Sequence, residues 1–412
     1  MEKLFNLFQK KVFNIEPGLE RVKSALEDLG HPEKKFRSIL VAGTNGKGST
    51  SAFLESLFRH YGYKTGLFTS PHLIKENERW QVNRKEIDDK KLKDYIYKLK
   101  PIIEKYNLTY FEACTVLAFL YFSEEKVDIA VVEVGLGGRW DATNVLDPEI
   151  SVITNVSFDH THILGNTLLD IAFEKTGITR ENKPAIIGKN QPEIIHWLGE
   201  RKVKEYYVKD VDYFTQDIDF NKYDYHFKDH IFEKLEISMI GKRQIENSSL
   251  ALTTFLVFLE KNNQPVVEKI IRTSLYRTKW KGRMEVVNKN PLIIIDGAHN
   301  EEGLIKTFNE IKEIFPNKKI YSLFSFMKDK DVKKMIEIIK QNSQLYLATT
   351  MPFSRSATAE DFKNFDVENI KDNHKEAIRE LKSKADKDTI ILITGSLYFI
   401  GEILRDGWNS FS

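Results

Sequence analysis

Hydrophobic and polar positions alternate along the chain in two registers, one that predicts buried strands and one that predicts amphipathic helices. Ile39–Ala42 is a short β-branched run that reads as a buried strand, and Thr50–Tyr61 has the spacing of a helix, with Phe53, Leu54, Leu57 and Phe58 among its apolar positions. Lys64–Phe68, Val127–Val134, Ile150–Val156 and Pro184–Gly188 read as further strands, while Asp88–Tyr106, Tyr110–Glu124 and Thr167–Arg180 read as helices. Residues 1–36 read as one or two helices, broken by Pro17-Gly18 and ended by Gly30-His31-Pro32. Glu76–Arg84 is largely polar with one tryptophan, Trp80, and is expected to be a surface loop with that tryptophan exposed, able to fold over a ligand. Tyr206–Ile240 alternates apolar and polar residues with many aromatics, which predicts appended antiparallel strands, and Gln244–Leu259 and Val266–Tyr276 follow as helices.

In Arg277–Asn290 the periodicity is lost, the composition turns basic and Gly282 interrupts, so the domain boundary is expected there, dividing the chain into 1–282 and 283–412. Alternation then resumes. Strands at Leu292–Ile295, Lys319–Phe324, Gln344–Thr349 and Thr389–Ile393 alternate with helices near 301–315, 329–342 and 372–384, the spacing of a second parallel α/β domain. The expected fold is α/β throughout: an N-terminal P-loop ATPase-like domain built on a parallel sheet, and a smaller Rossmann-like C-terminal domain.

The chemistry concentrates at predicted strand ends. Thr44, Asn45, Gly46, Lys47, Gly48 and Ser49 form, with Gly43, a glycine loop between a strand and a helix start, where backbone N–H groups and the helix dipole favour phosphate. Lys47 would reach the outer phosphates and Ser49 would coordinate Mg²⁺. The match to GxxxxGK[ST] is imperfect, because Gly48 separates the lysine from the serine. Glu133 closes the next apolar strand, the position at which a nucleotide-bound Mg²⁺ needs a carboxylate. The stretch Gly135–Asn144 is too rich in glycine and polar groups for a mere connector, and Asp159-His160-Thr161-His162 follows a further strand. Asp296–Asn300 and Gly395-Ser396 end strands of the second domain, where such sheets bind ligands.

Composition narrows the picture. With 412 residues, two domains are the default; 41% hydrophobic and 30% charged residues describe a soluble globular chain. A net charge of +2 is too balanced to suggest a nucleic-acid partner, and no apolar run approaches the roughly 20 residues that span a bilayer. The first residues, MEKLFNLFQKK, lack a continuous apolar core and a cleavage site, so a cytoplasmic protein is expected. The single cysteine, Cys114, lies in an apolar helix pattern and reads as core.

GTNGKGS, TSPHL, GLGGRWDATN, DHTHILG, EKTGI, GRME and DGAHN occur in that order. Together they resemble the Mur ligase superfamily, and specifically its folylpolyglutamate synthase and dihydrofolate synthase branch, over about residues 18 to 401 and most weakly in 200–240. The resemblance implies a first domain of the Mur ligase central type carrying ATP and folate sites, a glutamate ligase domain after it, and ATP-dependent joining of L-glutamate to a reduced folate or dihydropteroate through an acyl phosphate. It implies that Lys47 and the loop amides hold the phosphates, that Ser49 and Glu133 ligate one Mg²⁺, and that His160 ligates a second together with a carbamylated Lys175. Asn247, Arg283 and Asp296 match nucleotide contacts. Ser70, Pro71, His72, Phe111, Asp141 and Ala142 match the region of the acid substrate, and His299 and Ser396 match the surroundings of the incoming glutamate. The loop GGRWDATN is closer to the bifunctional version, although Trp140 replaces a more usual aliphatic residue. A monomer with a hinge in 277–290 is implied. Another Mur-type ligase, or a nucleotide-dependent switch without turnover, stands as the alternative.

Overall fold

The structure is a computed structural model and describes Leu4, Phe8 and residues 18–328, 331–353 and 355–407. Most of the predicted N-terminal helical region, 1–17, lies outside the described residues; within the rest of it Glu20–Asp28 is helical and His31 turns the chain in a left-handed conformation. The chain divides into two compact units, one of Met1–Ser238 with Arg243–Lys279, the other of Met239–Lys242 with Trp280–Ser412.

The first unit is built on eight strands: β1 (Arg37–Ala42), β2 (Thr65–Phe68), β3 (Trp80–Val82), β4 (Lys85–Glu86), β5 (Ile129–Glu133), β6 (Ile150–Ile153), β7 (Ala185–Ile187) and β8 (Tyr206–Val208), in the order β4-β3-β2-β5-β1-β6-β7-β8. From β2 to β8 every pairing is parallel, and β3 and β4 extend the edge as an antiparallel hairpin. β1 is central because it is apolar on both faces: Ile39, Leu40, Val41 and Ala42 are all fully buried. Helix Lys47–Tyr61 packs on β2 and β5, and helix Tyr110–Glu124, buried nearly all round, sets its Phe122 ring against Gly66 of β2. Three antiparallel strands, β9 (Tyr213–Asp219), β10 (Lys222–Phe227) and β11 (His230–Glu236), form a separate sheet whose inward tyrosines Tyr223 and Tyr225 bond Ser248 and Thr253 of helix Lys242–Lys261.

The second unit carries six strands: β12 (Glu285–Lys289), β13 (Leu292–Ile295), β14 (Lys319–Phe324), β15 (Leu345–Thr349), β16 (Ile370–Lys371) and β17 (Thr389–Thr394), ordered β12-β13-β17-β14-β15-β16. All pairings are parallel except β12 with β13, so the aperiodic stretch in which the domain boundary is expected also contributes an edge strand, through Val286 and its neighbours.

One expectation is overturned. Glu76–Arg79 is a 3₁₀ helix, Trp80 begins β3, and Trp80 is fully buried rather than exposed. Its indole Nε1–H donates to the Cys114 carbonyl at 2.9 Å, and the flanking polar groups find distant partners: the Tyr110 hydroxyl donates to Glu76 at 2.8 Å and Asn77 donates to the Ile87 carbonyl at 2.7 Å. A segment whose polar groups are satisfied across the fold reads as a loop in one dimension and buries in three. Two helices are also shorter than predicted: Leu168–Thr176 stops before Gly177, and Val332–Asn342 starts after Asp331 caps it.

Candidate active site

Register places the glycine loop between two flanking strand ends. Val41 lies opposite Glu133 of β5, and Ala42 opposite Ile153 of β6, so the chain leaving β1 emerges in the crevice at the carboxyl edge of the sheet. Gly43 has φ 147° and a Cβ there would lie 1.8 Å from Thr154 Oγ1; Gly46 has φ 86° and a Cβ would lie 2.4 Å from Asn247 Oδ1. Both positions therefore require glycine. Helix Lys47–Tyr61 starts at once, with Gly46 as its N-cap, so its unpaired N–H groups face the loop.

The loop is held from the other side by the segment after β6. Thr154 Oγ1 and Asn155 Nδ2 donate to the Asn45 carbonyl at 2.6 and 3.0 Å, while Asn45 N donates to Asn155 Oδ1 and Ser157 N to Thr44 Oγ1, both at 3.1 Å. Thr50 donates to Asn247 Oδ1 at 3.4 Å, which brings helix Lys242–Lys261 against the loop as well.

Lys47 and Lys175 meet at one atom. Lys175 Nζ donates to the Gly43 carbonyl at 2.9 Å and Lys47 Nζ to the same oxygen at 3.1 Å. Lys175 is 4% exposed, and burial, reinforced by the neighbouring Lys47 ammonium, pushes its pKa down to about 7. Glu133 is buried with Oε2 accepting from Ser70 N at 3.1 Å, which ties the Ser70–Leu73 turn to the end of β5; Ser49 is buried in the first turn of its helix. His160 has φ 49° and its Nε2 lies 3.8 Å from Asp159 Oδ1. Among the described residues no group of three or more His, Cys, Asp or Glu side chains forms a metal cage. The donor set suits a hard cation that keeps water and phosphate ligands: the Ser49 hydroxyl and the Glu133 carboxylate are oxygen donors of the kind Mg²⁺ takes.

The Gly135–Asn144 stretch sits over this edge. Asp141 is buried, and its carboxylate accepts from Leu136 N, Thr143 N and Thr143 Oγ1 at 2.9, 3.0 and 2.6 Å. Burial raises its pKa, opposed by those hydrogen bonds. What these bonds do is shape the loop; Ala142 beside it is buried too. Arg139 pairs with Glu174 at 2.7 Å, fastening the loop to the helix that carries Lys175, and the Phe111 ring occupies the space a Cβ at Gly135 would need. Pro71 follows a cis peptide bond, and His72 Nδ1 accepts from Arg79 Nε at 2.9 Å.

In the second unit, Asp296 is 1% exposed and accepts from Met284 N, Ala298 N and Thr307 Oγ1 at 2.9, 3.0 and 2.9 Å, locking the residue after Arg283 to the end of β13. Arg283 lies over Gly297, where a Cβ would come within 2.8 Å of Nη1. His299 Nδ1 donates to the Gly297 carbonyl at 2.9 Å, and Ser396 caps helix Leu397–Arg405 by accepting from Tyr398 N.

Sequence profiles of known families match both units: that of the Mur ligase middle domain over residues 41–255, and that of the Mur ligase glutamate ligase domain over residues 282–397. The dihydrofolate synthase/folylpolyglutamate synthase of Bacillus subtilis (strain 168) is 36% identical, covering 95% of either chain. The chain belongs to the dihydrofolate synthase/folylpolyglutamate synthase family of Mur ligases. Among solved members of this family, E. coli FolC in complex with DHPP and ADP superposes with a TM-score of 0.91 at 28% identity, covering 100% of this chain and 99% of that one. A bifunctional folylpolyglutamate synthase/dihydrofolate synthase with Mn, AMPPNP and L-glutamate bound gives 0.89 at 26% identity, covering 98% of each. Placed in this family, the sequence reading missed the cradle of Thr154, Asn155 and Ser157. Its only sequence signal is a polar TNVS directly after a β-branched strand, at a level matching Gly43–Asn45.

Proposed function

We propose that this chain joins L-glutamate to folates at the expense of ATP, acting on both dihydropteroate and reduced folates. The observation that carries the reading is the convergence of Lys47 and Lys175 on the carbonyl of a glycine loop at the sheet's carboxyl edge. A phosphate site beside a lysine whose amine is half neutral near pH 7 is what an ATP-dependent carboxylate activation with a carbamylated lysine requires.

In this mechanism the γ-phosphoryl group of ATP passes to a carboxylate oxygen of the acid, giving an acyl phosphate and ADP. The amine of glutamate attacks the acyl carbon, loses a proton, and phosphate leaves. Two anions must approach for the first step, so positive charge has to be placed around the transferring group. Lys47, released from the Gly43 carbonyl, and the amides of Thr44–Ser49 bind the phosphates, while Asn247 lies beside the nucleotide. Arg283 would add further positive charge for the phosphates, and Asp296 would contribute by fixing the backbone next to Arg283.

Ser49 and Glu133 would hold one Mg²⁺, and His160 with carbamylated Lys175 a second; bound there, these ions supply Lewis-acid neutralisation of phosphate charge. Lys175 would become such a ligand when its neutral amine adds to CO₂ and releases a proton, leaving a carbamate anion where the protonated lysine would carry a cation. Ser70, Pro71, His72, Phe111, Asp141 and Ala142 form the region for the acid substrate, with Asp141 acting through the loop it shapes. His299 and Ser396 receive the glutamate. Residues 1–282 would then carry ATP and acid, and residues 283–412 glutamate.

Support for the bifunctional reading comes from the Bacillus subtilis relative, named for both activities, and from the E. coli protein solved with DHPP. The test is ADP release with Mg²⁺-ATP and L-glutamate, adding dihydropteroate or tetrahydrofolate. Release with both acceptors is expected. Release with tetrahydrofolate alone would restrict the activity to polyglutamylation, and silence with both would point to a different acid.

A further inference from the structure

Asn83 and Arg84 are the two central residues of the tight turn between β3 and β4, and both have positive φ, 48° and 64°. Hairpins of this kind favour Asn-Gly, because both positions are left-handed and glycine adopts that conformation without steric cost. Asn83 fits that rule, and its Oδ1 accepts from Thr65 N at 2.9 Å. Arg84 does not fit it. An arginine held in this conformation is strained, and its head is turned inward: Nη1 is shut off from solvent although the residue as a whole is only half-buried. Burial lowers its pKa, opposed by the charge of Glu55 on helix Lys47–Tyr61.

The inward head reaches one informative atom. Arg84 Nη2 donates to the carbonyl of Lys279 at 2.6 Å. Lys279 is the last residue of the first unit before the chain passes into the second at Trp280. The neighbouring peptide is held as well, because Ser238, the last residue before the earlier departure at Met239, donates its hydroxyl to the Thr278 carbonyl at 2.5 Å. On the far side Gly282 belongs to the second unit, its N–H bonded to Glu285 at 2.7 Å and its carbonyl to Gly297 N at 2.9 Å. The connection is thus anchored at Lys279 and again at Gly282.

We propose that Arg84 is a positioning residue for the ligase reaction: by fixing the Lys279 peptide it sets where the chain departs toward Arg283, four positions further on. The role rests on the assignment of Arg283 to the phosphates made above. The hairpin that carries Arg84 is also continuous, through Glu76–Arg79, with the Ser70–Leu73 turn, so one element joins the acid-substrate region to the anchor.

The test uses Arg84→Gly, which creates the preferred Asn-Gly turn and so relieves the backbone instead of damaging it. The expected result is an unchanged or raised melting temperature, KM for ATP and folate within twofold of the parent, and kcat reduced tenfold or more, with Arg84→Lys recovering part of it. Amide exchange at Trp280–Arg283 is expected to speed up at least tenfold in Arg84→Gly while exchange in β1 and β5 is unchanged. A kcat within twofold of the parent, or unchanged exchange at those amides, would overturn the proposal. If the parent enzyme showed no glutamate-dependent ADP release, the function itself would fail, and the exchange measurement would still decide whether Arg84 holds the connection.

Discussion

Lys175 is a lysine placed where its charged form is unwelcome, 4% exposed and beside a second ammonium. In the unfolded chain it would hold its proton up to about pH 10.5, whereas in the folded protein it releases it near 7. Between those values the unfolded state binds more protons, so this group makes folding more favourable as pH rises through that window. Lys175→Met removes the effect. Its melting temperature is expected to exceed that of the parent most at pH 6–7 and to converge with it toward pH 10, measured in bicarbonate-free buffer. Thr349 offers a second case. Its hydroxyl, at the end of β15, is fully buried and has no hydrogen-bond partner among the described residues, while its branched shape suits the strand. Thr349→Val should raise stability by about 1 kcal/mol, read from the urea midpoint at constant m-value, because an unsatisfied buried hydroxyl is removed without loss of shape.

At the scale of elements, the glycine loop was legible because its chemistry is contiguous: strand, loop and helix start lie within Arg37–Tyr61. The cradle that holds it was not, since Thr154, Asn155 and Ser157 lie about 110 residues away and no local periodicity marks them. Glu76–Trp80 failed for the same reason in reverse, its polar groups being satisfied by Tyr110, Ile87 and Cys114. Gly43→Ala tests how rigid the cradle is. With Thr154 Oγ1 at 1.8 Å from the added Cβ, the loop must shift, and affinity for ADP is expected to fall about 100-fold or more by calorimetry, while the far-UV circular dichroism stays that of the parent.

At the scale of the molecule, alternating strands and helices made both parallel sheets readable, because a βαβ rhythm leaves few topologies open. The antiparallel additions were harder: β3 and β4 are only three and two residues long, and β12 hides in a basic, aperiodic stretch. A ligand that binds only the folded protein stabilises it, by about 2.7 kcal/mol at one hundred times its dissociation constant. Mg²⁺-ATP is therefore expected to raise the melting temperature, EDTA to cancel most of that rise, and EDTA also to abolish ADP release. Survival of turnover in EDTA would remove the metal from the mechanism. No helix among the described residues is long and apolar enough to cross a membrane.

Because Met239–Lys242 belongs with the second unit while the residues on either side belong with the first, the chain passes between the units three times. Gly241, at φ 112°, lies against the Glu310 carboxylate, so this four-residue visit is fitted to its host. A recombination event that joins two homologous genes at a single point near Lys279 would therefore graft onto one parent's C-terminal half a tetrapeptide inherited from the other. Chimaeras of this family made with one crossover should tolerate parents that agree at Gly241 and Glu310, and two crossovers, on either side of 239–242, should be needed where they do not.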